Sequence, residues 1–152
     1  MSTVASGLVE SPVVVLGPRG MLSLWPDRPI GRTTTTYAVC TGYWTKFQLY
    51  DREGQVYQIT DARPPQPISV VGRFLSRSVY NPRIEVTFEY GAPESYSLAD
   101  LKDRVAAAIA LDDDIITQFH DADTITGWVE QALTFADLVQ AIRRSEQEPD
   151  DA

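Results

Sequence analysis

The hydrophobic pattern changes period once, just after residue 90, and that switch decides what the chain can fold into. Over residues 83–90, Ile84, Val86, Phe88 and Tyr90 alternate with Arg83, Glu85, Thr87 and Glu89, the period-two signature of a strand with one buried and one wetted face. From residue 97 onward apolar positions recur three and four residues apart, the spacing of amphipathic helices. Strands first and helices afterwards predict an α+β fold. Its antiparallel sheet has about five strands, followed by three or four C-terminal helices packed on it.

Within the first half, residues 13–16 are β-branched or apolar, Gly17-Pro18-Arg19-Gly20 has turn chemistry, and 21–25 return as a second strand. Pro26 and Pro29 then break the sheet. Residues 33–40 are β-branched or aromatic and predict a strand that continues into 43–50, with Tyr43, Phe47 and Leu49 on the core face. Asp51-Arg52-Glu53-Gly54 predicts a turn and 56–60 the returning strand of a hairpin, which Pro64, Pro65 and Pro67 end. Residues 70–75 read as a further strand.

In the second half Ser97 is suited to cap a helix, with Asp100 three residues on and Tyr96 placed to staple Leu101. Leu98, Leu101, Val105, Ala108 and Ile109 form its buried stripe. Ile115, Ile116 and Phe119 predict a short helical turn. Asp121 or Asp123 caps a second helix that buries Ile125, Trp128, Val129 and Leu133. Thr134 caps a third, with Asp137 at its third position, Leu133 stapling Leu138, and a stripe of Leu138, Val139 and Ile142. Residues 1–11 read as a flexible arm, 12–145 as one α+β domain (sheet 12–91, helices 97–144), and 146–152 as an acidic disordered tail.

Charge is split as sharply as periodicity. Before residue 84 nine Arg or Lys stand against five Asp or Glu, and from there on four stand against sixteen. A gradient this steep belongs where partners are chosen by electrostatic fit, and the acidic half repels nucleic acid and anionic lipid. With 43% hydrophobic and 22% charged residues, a chain of 152 residues buries a sizeable core without disulfides or metals. Cys40 is the lone cysteine, which fits a reducing cytoplasm. Residues 1–12 lack the basic start and apolar core of a secretion signal, and no apolar run approaches the ~18 residues of a membrane span, so the chain reads as cytoplasmic.

Motifs for catalysis are missing from the sequence. One histidine, His120, leaves no two-histidine metal site, and neither G-x-S-x-G nor G-x-x-x-x-G-K occurs. His120 borders the acidic stretch, which favours the cation over a general base, so it reads as a helix-end histidine. The acids Asp112, Asp113, Asp114, Asp121 and Asp123 raise the question of calcium or magnesium. A calcium loop needs an oxygen ligand at its fifth position and a glycine at its sixth; counted from Asp121 these are Ile125 and Thr126, counted from Asp112 they are Ile116 and Thr117. The loop pattern fails, and no cofactor or metal is expected. Carboxylates converging from separate segments keep open a metal-assisted or acid/base enzyme as the alternative.

Helix caps absorb one acid per helix, and this stretch holds five with no basic residue between Arg104 and Arg143. The excess marks a partner-binding surface made of Asp112, Asp113, Asp114, Asp121 and Asp123. Trp44 and Tyr50, opposite the predicted core face of their strand, join it as aromatic anchors unless a second layer covers them. Arg73, Arg77 and Arg83, with Phe74 and Tyr80 between them, read as a solvated sheet edge, since a net charge of −8 opposes phosphate binding. A self-associating subunit that uses the sheet edge and Trp44 is a third reading.

Small size, acidity, the lack of catalytic motifs and a sheet followed by acidic helices together resemble the immunity proteins that protect bacteria from their own or neighbouring toxins. The resemblance lies in general character over the whole chain and carries no residue correspondence. It implies a non-enzymatic binding protein that blocks a basic protein partner, often a nuclease whose phosphate-binding groove attracts carboxylates.

Overall fold

The computed structural model describes residues 12–25, 32–111 and 117–149. The expected N-terminal arm, the proline break, Asp112, Asp113, Asp114, Ile115, Ile116 and the last residues of the tail lie outside the described residues.

Seven strands form the sheet where the sequence predicts about five: β1 (Val13–Leu16), β2 (Leu22–Trp25), β3 (Arg32–Thr35), β4 (Gln48–Tyr50), β5 (Gln55–Arg63), β6 (Arg83–Tyr90) and β7 (Glu94–Ser95). They run in the order β2-β1-β4-β5-β6-β3, with β7 also on β5, and each pairing is antiparallel. β6 and β7 follow one another along β5, from Arg63 opposite Thr87 to Gln55 opposite Ser95. The register shifts between Ile59 and Asp61, an irregularity of the kind that bends a strand and curls a sheet.

Each face of the curl carries its own core. On β1, Val14 joins the core beneath the helices while Val13 and Val15 join the other; on β4, Tyr50 and Leu49 divide in the same way. The second core is aromatic, with Trp25 stacked on Phe88 at 5.5 Å between ring centroids. On β6 the predicted alternation holds: Val86, Phe88 and Tyr90 are buried, Ile84 is half-buried, and Arg83, Glu85 and Thr87 are exposed.

Helices α3 (Leu98–Leu111), α4 (Ala122–Gln131) and α5 (Phe135–Ser145) follow the sheet. Each starts on the cap its sequence predicts. Ser97 Oγ accepts from the Asp100 N–H at 3.1 Å, Asp121 Oδ1 from the Thr124 N–H at 2.7 Å, and Thr134 Oγ1 from the Asp137 N–H at 3.1 Å. Leu101, Val105, Ala108 and Ile109 of α3, Ile125 and Val129 of α4, and Leu138, Val139 and Ile142 of α5 are buried together. They meet Val14 and Tyr50, with Leu16, Leu22 and Leu24 at the margin, so the helices cover the β2-β1-β4 part of the sheet. Gly20 permits the close fit: its φ is 74°, and a Cβ there would stand 2.6 Å from the Ala108 carbonyl oxygen of α3.

Four expectations need correction. Residues 36–40 form a helix, α1 (Thr36–Cys40), rather than a strand, because Thr35 Oγ1 accepts from the Ala38 N–H and Thr36 turns its N–H and hydroxyl to the Pro82 carbonyl. Residues 43–46 form a 3₁₀ turn after Gly42, whose φ of 67° ends any extended run. Residues 70–75 form α2 (Val70–Leu75), capped by Ser69 Oγ accepting from the Gly72 N–H at 2.9 Å. Leu133 is 84% exposed and so is no staple; the Asp137 carboxylate takes its N–H instead, at 3.1 Å.

Candidate functional site

The residues expected to bind a partner fall into two groups. Trp44 and Tyr50 turn inward, Tyr50 buried and Trp44 half-buried, which is the covered one of the two arrangements the sequence leaves open. Tyr50 is 2% exposed, set edge-on to Tyr96 at 5.0 Å, with its hydroxyl donating to Gln48 Oε1 at 3.0 Å. Burial raises the pKa of that hydroxyl, an effect that the charge of nearby Arg104 opposes. The covering layer that would hide these aromatics is the helices for Tyr50 and the curl of the sheet for Trp44. Trp44 lies 4.7 Å from Phe47, 5.1 Å from Phe88 and 6.2 Å from Trp25, and its Nε1–H donates to Thr34 Oγ1 at 2.9 Å.

Asp121 and Asp123 sit at the start of α4 and remain on the surface. Asp121 is occupied as the cap. The Thr124 backbone N–H, then the Thr124 side chain, hold its carboxyl below the usual range. Asp123, in the first turn of α4, is exposed, as are Asp103 on α3 and Glu130 on α4. Among the described residues no ion pair joins these three to a basic side chain.

The basic residues of the helical half explain why. Lys102 Nζ donates to the Glu130 and Ala132 carbonyls at 2.7 and 2.8 Å, placing its charge at the C-terminal end of α4. Arg144 stacks on the Trp128 ring with Cζ 4.0 Å from its centroid, and Arg104 reaches the Tyr50 hydroxyl. Cations that stand next to carboxylates in sequence are thus spent on carbonyl, indole and phenol partners. Arg143 is the exception, its charge lying close to Glu146; Asp103, Asp123 and Glu130 have no such neighbour in an ion pair among the described residues.

His120 takes the helix-end place its sequence predicts. Its Nε2–H donates to the Gln147 carbonyl at 3.0 Å and its ring meets Trp128 edge-on at 4.9 Å, tying the approach to α4 to the end of α5. Among the described residues, no three His, Cys, Asp or Glu side chains converge as metal ligands. Cys40 ends α1, half-buried.

One feature escapes the sequence reading. Val70, Val71, Phe74, Val79 and Tyr80, on and just after α2, are all exposed, interspersed with exposed Arg73 and Arg77. The segment is no sheet edge. Its signal was the Ser69 cap, obscured by two adjacent valines that favour a strand.

Comparison of the chain with protein-family models, with curated proteins and with solved structures gives no match.

Proposed function

We propose that this chain is a non-enzymatic protein-binding module that binds and neutralises or regulates a basic protein partner through its acidic helical half, as the immunity proteins it resembles do. The observation that carries this reading is the diversion of Lys102, Arg104 and Arg144 away from the carboxylates around them. Exposed carboxylates on a rigid helical layer form a field that attracts a cationic surface and repels phosphates. Asp123 is the exposed member of the expected cluster among the described residues, Asp121 serves as the cap that fixes α4, and Asp112, Asp113 and Asp114, which lie outside the described residues, are assigned to the recognition site from the sequence.

Affinity capture from the native cell lysate, followed by identification of the bound protein, tests the proposal. The expected catch is a basic protein whose association slows steeply as salt rises, because exposed charges are screened over ~8 Å at physiological ionic strength. Replacing Asp112, Asp113 and Asp114 with Asn should weaken capture and leave the thermal melt in place. Capture unchanged by that triple variant would move the site elsewhere.

A further inference from the structure

We propose that copies of this chain associate head to tail, the exposed apolar and basic face of α2 in one copy seating on the acidic turn between α4 and α5 of the next. The contact stands apart from the basic-partner reading, since it needs only the chain itself. It also differs from pairing through the sheet edge and Trp44, because Trp44 packs against the aromatic core. The face on α2 is built by helical spacing. The Ser76 N–H donates to the Gly72 carbonyl and the Val79 N–H to the Leu75 carbonyl, each at 3.0 Å, so the helical winding runs past Leu75. Residues three and four apart are then neighbours: Val70 beside Arg73 and Phe74, and Arg77 beside both of these. All four are exposed, Phe74 by 70%, and Val71 and Val79 extend an apolar surface of the kind that marks an interaction site. Its charge is of one sign. Residues 62–84 hold four arginines and no Asp or Glu. Arg63 pairs with Asp61 and Glu89, and Arg83 donates to the Thr33 carbonyl and hydroxyl. Arg73 and Arg77 have no ion pair among the described residues. The complement of this face is an apolar side chain set among carboxylates.

That complement is displayed on the helical layer of the same chain. Leu133 stands exposed in the turn from α4 to α5, between exposed Glu130 and Asp137, and the Asp137 carboxylate holds the Leu133 N–H, which fixes the turn. Neither carboxylate has an ion pair among the described residues, and Lys102 is directed at the Glu130 and Ala132 backbone carbonyls. Both surfaces are uncovered in the single chain, so they do not meet within it. One contact between copies covers both. A lipid surface would match the arginines of α2 and leave Leu133 among its acids unaccounted for. The net charge of −8 repels two copies at a distance, but that repulsion is screened over ~8 Å at physiological ionic strength, whereas groups in contact lie inside that length. Because the two surfaces differ, the contact is heterologous, and each copy carries one of each.

Sedimentation velocity of the purified full chain up to ~300 µM tests the contact, a range that reaches dissociation constants well above micromolar. The wild type should associate as its concentration rises. Phe74→Ser, Arg77→Glu, Leu133→Ser and Glu130→Arg should each weaken association roughly tenfold or more and leave the melting temperature in place, since all four positions are exposed. If Arg77→Glu or Glu130→Arg lowers the melting temperature, Arg73→Glu or Glu130→Gln takes its place. An equimolar mixture of Arg77→Glu and Glu130→Arg separates this contact from others. The first variant keeps an intact acidic turn and the second an intact α2 face, so the mixture should associate where neither does alone. A wild type that stays monomeric over the whole range overturns the proposal, as does a mixture that stays monomeric. Association lost in Phe74→Ser but kept in Leu133→Ser and Glu130→Arg pairs α2 with α2 and overturns it as well. So does a monomer retained on vesicles of equal parts phosphatidylcholine and phosphatidylserine by a contact that Phe74→Ser abolishes, which assigns the face to a membrane.

Discussion

Trp44 connects the two ends of the strand order with one side chain. β2 and β3 lie at opposite ends of that order, yet Trp44 touches Trp25 of β2 with its ring and Thr34 of β3 with its indole N–H. Packing and hydrogen bonding can be separated here. Trp44→Phe keeps a ring against Phe47 and Phe88 but loses the bond to Thr34, and should cost about 1 kcal/mol in a denaturant titration. Trp44→Ala removes the ring as well and should cost ~3 kcal/mol, the lower end for a large aromatic because Trp44 is only half-buried. Asp121 gives a second test, through pH. Its folded-state pKa is lowered, so its contribution is fully present above the unfolded value and is lost as pH falls through the folded one. Asp121→Asn keeps a cap but cannot titrate. The decline in melting temperature on acidification below about pH 4 should therefore be shallower in the variant.

Two leucines on either side of the Thr134 cap of α5 differ in what they do. Leu138 is fully buried among the residues of α3 and α4, and Leu138→Ala should cost ~2–5 kcal/mol. Leu133 packs on nothing comparable, and Leu133→Ala should stay within about 0.5 kcal/mol, as surface changes do; a loss like that of Leu138 would restore the staple. The contrast marks where sequence is informative. Long elements with a clear period are legible, and β6, α3, α4 and α5 stand where their stripes and caps place them. Short segments are not, because a few residues of propensity yield to one tertiary bond. Thr36 to the Pro82 carbonyl outweighs the β-branched and aromatic residues of 36–40, and the Ser69 cap outweighs Val70 and Val71. For the site, Asp121 was legible as a cap because its bond is local. The burial of Trp44 and Tyr50 was not, since Phe88 and Tyr96 lie more than forty residues away in sequence.

At the scale of the molecule, charge and topology run together. The acids stand on the layer that covers β2-β1-β4, while Arg73 and Arg77 are exposed on and just after α2, in the connection from β5 to β6. Electrostatic steering depends on the sum of such charges, whereas grip depends on those in contact, and the C-terminal tail separates the two effects. Gln147 belongs to the fold through its carbonyl, which His120 holds; residues 148–152 add three acids and only Ala152 as an apolar side chain. Truncation after Gln147 should therefore leave stability within about 0.5 kcal/mol. It removes three of the negative charges that make up the net −8, so the association rate with a basic partner should fall modestly at low salt and converge with the full-length rate as salt rises. The dissociation rate should not change, because a short tail would pay ordering entropy on binding that the helix-borne acids do not. Stopped-flow association and surface-plasmon dissociation measured on both chains check this. A faster dissociation after truncation would place contacts in the tail and take the recognition surface off the helical layer.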